Sequence, residues 1–227
     1  MNSKVSVIFM LFGILFSVCL ITSNLLETKI IQVFNIILTG GLLVFPISYI
    51  INDCIVEVWG FKKARLIIWI GFITNFLVIA VTQVAVAIPA ASFWEGEEGF
   101  NFVFGMAPRI TCASFIAFLA GSFLNAYVMS RMKVAGKGKY FSVRAIWSTI
   151  VGETADSLIF FPIAFGGLVS LEELLTLMGI QIVLKSLYEV IALPITIRVV
   201  KMVKKIEETD VYDTGISYNV LKVGDID

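Results

Sequence analysis

Six apolar stretches, roughly residues 5–26, 31–58, 66–91, 109–130, 144–167 and 174–198, are each long enough to cross a bilayer. A hydrocarbon core about 30 Å thick needs about 20 residues of helix. In lipid the backbone polar groups must be satisfied within the segment, so such stretches are expected to be helices. Across 227 residues, 59% are hydrophobic and only 15% charged, against about 25% charged in a soluble domain. One small core cannot bury that much apolar side chain. The expectation is an all-α membrane protein with a six-helix transmembrane domain over 1–200 and a polar cytoplasmic tail over 201–227. The first stretch has no small-residue cleavage site after its apolar core and reads as a span, not a signal peptide. The second is long and contains Gly40, Gly41 and Pro46, which predicts a bend or an irregular start. The tail shows no periodic apolar face and reads as a soluble, partly disordered end.

Orientation follows from where the basic residues fall. Lys4, the group Lys62, Lys63 and Arg65, the group Arg131 to Arg144, and the group Arg198 to Lys222 all lie on one side. They are fourteen of the seventeen basic residues. The other side carries Lys29, Arg109 and the acidic segments "WEGEEG" and "LEEL". Both termini are therefore expected in the cytoplasm. The loop 92–108 is acidic, aromatic and Gly-rich, suited to an outer lid or an interfacial belt.

Several chemistries are excluded by what is missing. There is no histidine, which removes His-based acid–base catalysis and H-E-x-x-H metal sites. No phosphate-binding G-x-x-x-x-G-K-[ST] loop occurs, and no cofactor or metal motif is present. Cys19, Cys54 and Cys112 are scattered and read as free thiols. A net charge of +0 offers no polybasic surface for nucleic acid.

Against this apolar background the polar residues inside the spans stand out. A charge at the centre of a span costs about 2.5–3.5 kcal/mol on insertion scales. At 1.5 Å per residue, counted from the nearest cytoplasmic base, Asp53, Glu153 and Glu189 lie about 13 Å deep. By the same count Asp156 lies about 18 Å deep, Lys185 about 20 Å and Asn125 about 9 Å. Helical spacing puts Thr149, Gly152, Glu153 and Asp156 on one face of the fifth span. It does the same for Gln181, Lys185 and Glu189 on the sixth, and for Ser48, Asn52, Asp53 and Glu57 on the second. Lys185 and Glu189 could form a self-neutralising pair, Asp156 could pair with Lys185, and Asn125 could be an interhelical hydrogen-bond contact. Yet acids outnumber bases in this layer. Uncompensated carboxylates in a membrane are protonated, hydrated or bound to something, which points to a water-filled cavity for a donor-rich or cationic ligand.

At these residues the chain resembles the queuosine precursor transporters, also described as a vitamin uptake transporter family. The segments that carry the resemblance are "FPISYIINDCIVEVWGFKKAR" (45–65), "PRITCASFIAFLAGSFLNAYV" (108–128) and "STIVGETADSLIFFPIAF" (148–165). The resemblance implies a six-helix carrier in the cell membrane that salvages 7-deazaguanines for tRNA modification: queuine, or its precursors preQ0 and preQ1. It places family roles on Asp53, Arg109, Asp156 and Lys185. This sequence has Asn125 where an aspartate is common and Glu153 where an asparagine or glutamine is common. A guanine-like ring offers N1–H and an exocyclic amine to a carboxylate, and an O6 acceptor to Lys, Arg or Asn. Queuine and preQ1 add a protonated amine, which calls for a second carboxylate. Glu153 and Asp156 are expected to divide these two tasks, with Asp53 pairing with Lys185 or gating release.

The candidate substrate-binding residues are therefore Asp53, Arg109, Asn125, Glu153, Asp156, Lys185 and Glu189. The partners expected are a small nucleobase and the lipid bilayer, with no nucleic acid and no cofactor. Rival readings are the substrate-binding subunit of an ATP-driven importer and a proton or ion carrier. An intramembrane aspartate protease is disfavoured because "GETADS" lacks the G-x-G-D context. Two three-span halves with polar second and fifth spans are compatible with a 3+3 inverted repeat. Gly-containing faces such as that of Gly121 are compatible with a homodimer.

Overall fold

The structure is a computed structural model that describes residues 6–33, 36–105, 108–167 and 170–223. It is a bundle of helices: α1 (Val7–Leu26), α2 (Phe45–Ala87), the short α3 (Glu97–Phe104), α4 (Pro108–Ala135), α5 (Phe141–Phe165) and α6 (Leu171–Glu207). Four helical segments are long and apolar enough to cross a membrane: Val7–Leu26, Phe45–Ala87, Cys112–Ala135 and Leu171–Glu207. Helix α5 carries Arg144, Glu153 and Asp156 and is not among them. Large apolar side chains such as Ile14, Phe76, Leu77, Val183 and Ile191 point outward, as they do when the surroundings are lipid.

Helix α2 is two antiparallel arms. Gly60 has φ 82° and ψ 174°, outside anything helical, and the chain reverses there. Before it, Ser23 of α1 bonds Gly41 and Phe9 packs on Trp59, so the arm 45–59 runs against α1. After it, Gly13 approaches Ile67 and Phe16 approaches Gly71, so the arm 61–87 runs with α1. The turn expected near 59–65 is thus a single residue.

The second predicted span needs correction. Residues 31–33 and 36–44 are not α-helical: β1 (Ile30–Val33) pairs antiparallel with β2 (Ile36–Thr39), Ile30 opposite Thr39, and a 3-10 turn over Gly40–Leu43 follows. Isoleucine, valine and threonine dominate both strands, and such β-branched residues favour extended backbone over helix. Helix begins only at Phe45, with Pro46 in its first turn, where its missing N–H leaves no bond unmade.

Helices α4 and α5 pack through small residues. A side-chain carbon added at Gly121 would lie 2.9 Å from the Gly152 carbonyl. The Gly121 face, on which the homodimer expectation rested, is therefore used inside the chain. The three cysteines are free thiols.

The tail also differs from expectation. Helix α6 continues to Glu207, past the predicted boundary at 200, and 208–223 lies packed across the helix ends. Asp213 accepts a hydrogen bond from the Phe61 amide at 2.9 Å and another from Ser130. Arg65 donates to the Asn219 carbonyl at 2.8 Å and Trp69 to Val220 at 2.8 Å. Tyr218 stacks edgewise on Phe61 and Tyr127. The anchors are single residues and backbone carbonyls at irregular intervals, which leave no periodic signature in the sequence. At the same end, Ser6 at the start of α1 donates to Glu207 at the end of α6.

Candidate functional site

Three polar clusters occupy successive levels between the helices. The first joins α5 and α6. The Lys185 ammonium lies 2.9 Å from Glu153 and 3.5 Å from Asp156, and 4.0 Å from the centre of the Phe45 ring. Lys185 thus pairs across to α5 and not with Glu189 on its own helix. The i, i+3 spacing of Glu153 and Asp156 brings both carboxyls to one ammonium. Glu153 is fully buried behind Lys185, whereas Asp156 and Lys185 line a cavity. Of the two acids expected to divide the ligand's groups, Glu153 is engaged by the lysine and Asp156 borders the cavity.

The cavity has a volume of about 40 Å³. Asp156, Lys185 and Gln181 supply its polar wall, and Phe45, Phe160 and Phe161 supply rings. Asn24, Glu27 and Ser114 close the remaining side and also border an adjoining space of about 60 Å³ that reaches Gln83 and Phe104. Polar groups converging beside aromatic rings suit a small polar molecule with a flat face.

The second cluster is sealed. Asp53 accepts from Ser148 at 3.3 Å through either carboxylate oxygen and lies beside Asn125 and Glu189. Asn52 donates to Asn125 at 2.7 Å, and Asn125 reaches Thr149 at 3.5 Å. Glu189 contacts Asp53 and Thr149. Asp53 therefore meets an acid and not Lys185. Asn125, Asp53 and Glu189 hold α2, α4, α5 and α6 together below the cavity, and none of them lines it.

The third cluster lies at the end where α1 starts. Glu57 of α2 is paired with Arg144 of α5 through both guanidinium nitrogens and with Lys204 of α6 at 2.6 Å. Lys133 of α4 donates to the Glu57 and Val211 carbonyls and to Asp210, which also pairs with Lys204 at 2.9 Å. Two-point guanidinium–carboxylate pairs are the strongest of such contacts. This network was not foreseen, because Glu57 and Arg144 lie far apart in the sequence and each looked like an ordinary residue near a membrane boundary. Arg109 lies at the start of α4, and its side chain falls outside the described residues.

Comparison with known proteins finds related chains. A family model described as "Putative vitamin uptake transporter" matches residues 39–199. Among curated proteins, the "Probable queuosine precursor transporter" of Bacillus subtilis (strain 168) is 26% identical over 194 residues, 83% of each chain. A protein of that name from Haemophilus influenzae is 32% identical over 127 residues, 56% of this chain and 52% of its own. The "Queuosine precursor transporter" of Escherichia coli (strain K12) is 28% identical over 152 residues, 66% of each. No solved structure matches the chain.

Proposed function

Because the chain belongs to the vitamin uptake transporter family, we propose that it is a multi-pass cell-membrane importer of queuosine precursors, a carrier and not an enzyme. Its three curated relatives bear that name. The observation that carries the reading at the level of chemistry is the cavity: the carboxyls of Asp156 and Glu27, the Lys185 ammonium and the amides of Gln181 and Asn24 face it beside three phenylalanine rings. A 7-deazaguanine presents matching groups. Its N1–H and exocyclic amine suit the two oxygens of Asp156, its O6 suits Lys185 or Gln181, and its flat face suits Phe160 or Phe161. Glu153 holds the lysine in place from behind.

Six crossings account best for the architecture: α1, the two arms of α2, α4, α5 and α6. The contact between Ser6 and Glu207 supports an even number, and the basic bias of that end supports a cytoplasmic location for both termini. The halves α1 with α2 and α4 to α6 are then three crossings each, as an inverted repeat requires. The Glu57–Arg144–Lys204 network closes the cytoplasmic side below the cavity, so this arrangement corresponds to a site shielded from the interior.

The test is binding by the purified protein in detergent, comparing queuine, preQ1, preQ0 and guanine by calorimetry. Saturable binding of a 7-deazaguanine that is lost in Asp156→Ala is the expected result. A folded protein that binds none of them refutes the reading.

A further inference from the structure

Glu27 lies just beyond α1 and outside every predicted membrane stretch, where an acid is unremarkable in sequence. In the fold it borders the same cavity as Asp156 and Lys185, close enough to feel both charges. Its carboxyl is held by a backbone device. A side-chain carbon at Gly41 would lie 2.1 Å from Glu27 Oε1 and 2.5 Å from Cδ, so the carboxyl lies directly on the glycine after the hairpin. Among the described residues no lysine or arginine lies within ion-pair distance of Glu27, and Lys185 is already engaged by Glu153 and Asp156. Three carboxyl groups thus surround one ammonium. A neutral base held between Asp156 and Lys185 would leave Glu27 facing the cavity without a counter-charge from the described residues.

We propose that Glu27 is the specificity residue of this cavity and receives the protonated amine of the ligand's side arm, selecting cationic 7-aminomethyl bases over neutral ones. The inference rests on the carrier reading above. The amine donates its N–H to the Glu27 carboxylate while the ring is held at Asp156. Gly41 keeps the carboxylate where the arm arrives.

The experiment compares preQ1, whose arm is an aminomethyl cation, with preQ0, whose arm is a neutral nitrile, on the purified protein by calorimetry. Wild type is expected to bind preQ1 more tightly. Glu27→Gln, which keeps size and hydrogen bonding, should weaken preQ1 by about tenfold or more, the scale of a lost charge-assisted bond, and shift preQ0 by less than about twofold. Gly41→Ala, which displaces the carboxyl without removing it, should reproduce the same selective loss. Equal loss of both bases in Glu27→Gln, or no loss of either, overturns the proposal while leaving the carrier reading intact. Failure of wild type to bind either base overturns both.

Discussion

Lys185 has two jobs that mutation can separate. It faces the cavity, and it neutralises Glu153, which is 0% exposed. Removing one member of a buried ion pair strands the other, at a cost of about 3–5 kcal/mol. Lys185→Met should therefore lower thermal stability sharply and abolish binding. Adding Glu153→Gln should recover much of the stability and none of the binding. If the second change recovered nothing, Glu153 would not be the residue that Lys185 supports. At this scale the sequence was informative where helical spacing and depth coincide, which is how Lys185, Glu153 and Asp156 were brought together. It was silent on Glu27, whose position depends on a hairpin folding back over the end of α1. It left Asp53 open between pairing with Lys185 and gating release, because depth alone does not say which of two residues one turn apart on α6 a side chain meets; Asp53 lies beside Glu189.

Elements were legible where composition had one physical solution and obscure where it had two. Helices such as α1 and α6 were legible from length and composition, being long and apolar enough to cross a membrane. The stretch 31–44 is equally apolar, but its isoleucines and valines suit a strand as well as a helix, and the hairpin is decided by contacts with α1. The turn in "VWGFKK" was visible as a glycine beside basic residues; its tightness was not. Gly60 adopts φ 82°, and a side-chain carbon there would meet Asp213 Oδ1 at 2.7 Å and Val211 at 2.8 Å. Gly60→Ala should thus incur both backbone strain and a clash, costing on the order of 1–3 kcal/mol. Its melting temperature should fall, and protease should cut the tail sooner than in wild type. A tail that stayed protected would mean that the turn adapts without displacing Asp213.

For the whole molecule, the polar clusters are graded from one end to the other: an open cavity, a sealed carboxyl and amide layer, and an ion-pair network under the strap. Replacing Arg144 by methionine should loosen that closed end, raising the accessibility of a cysteine introduced at Ser148 to a thiol reagent in the Arg144→Met background relative to the same cysteine in wild type. An unchanged rate would show that the network is not what shuts this side. The strap has its own acid dependence. Burial works against ionisation of Asp210, but the Lys133 and Lys204 ammoniums beside it hold its carboxyl below the usual range. The attachment is then complete above about pH 4, the ordinary aspartate value, and is lost as pH falls further and the carboxyl is protonated. Limited proteolysis of the tail across that range should show the loss in wild type and a flat response in Asp210→Asn.

Ribosomes deliver this chain in one direction, and the strap emerges after every helix it touches. Residues 208–223 bind Phe61, Arg65 and Trp69 on the second arm of α2, Ser130 and Lys133 on α4, and Lys204 on α6. No partial set of helices offers all of those partners, so docking of the strap reports that each helix has reached its proper place. A misinserted chain would display a free, cleavable end to the quality-control proteases of the cell, and a completed one would hide it.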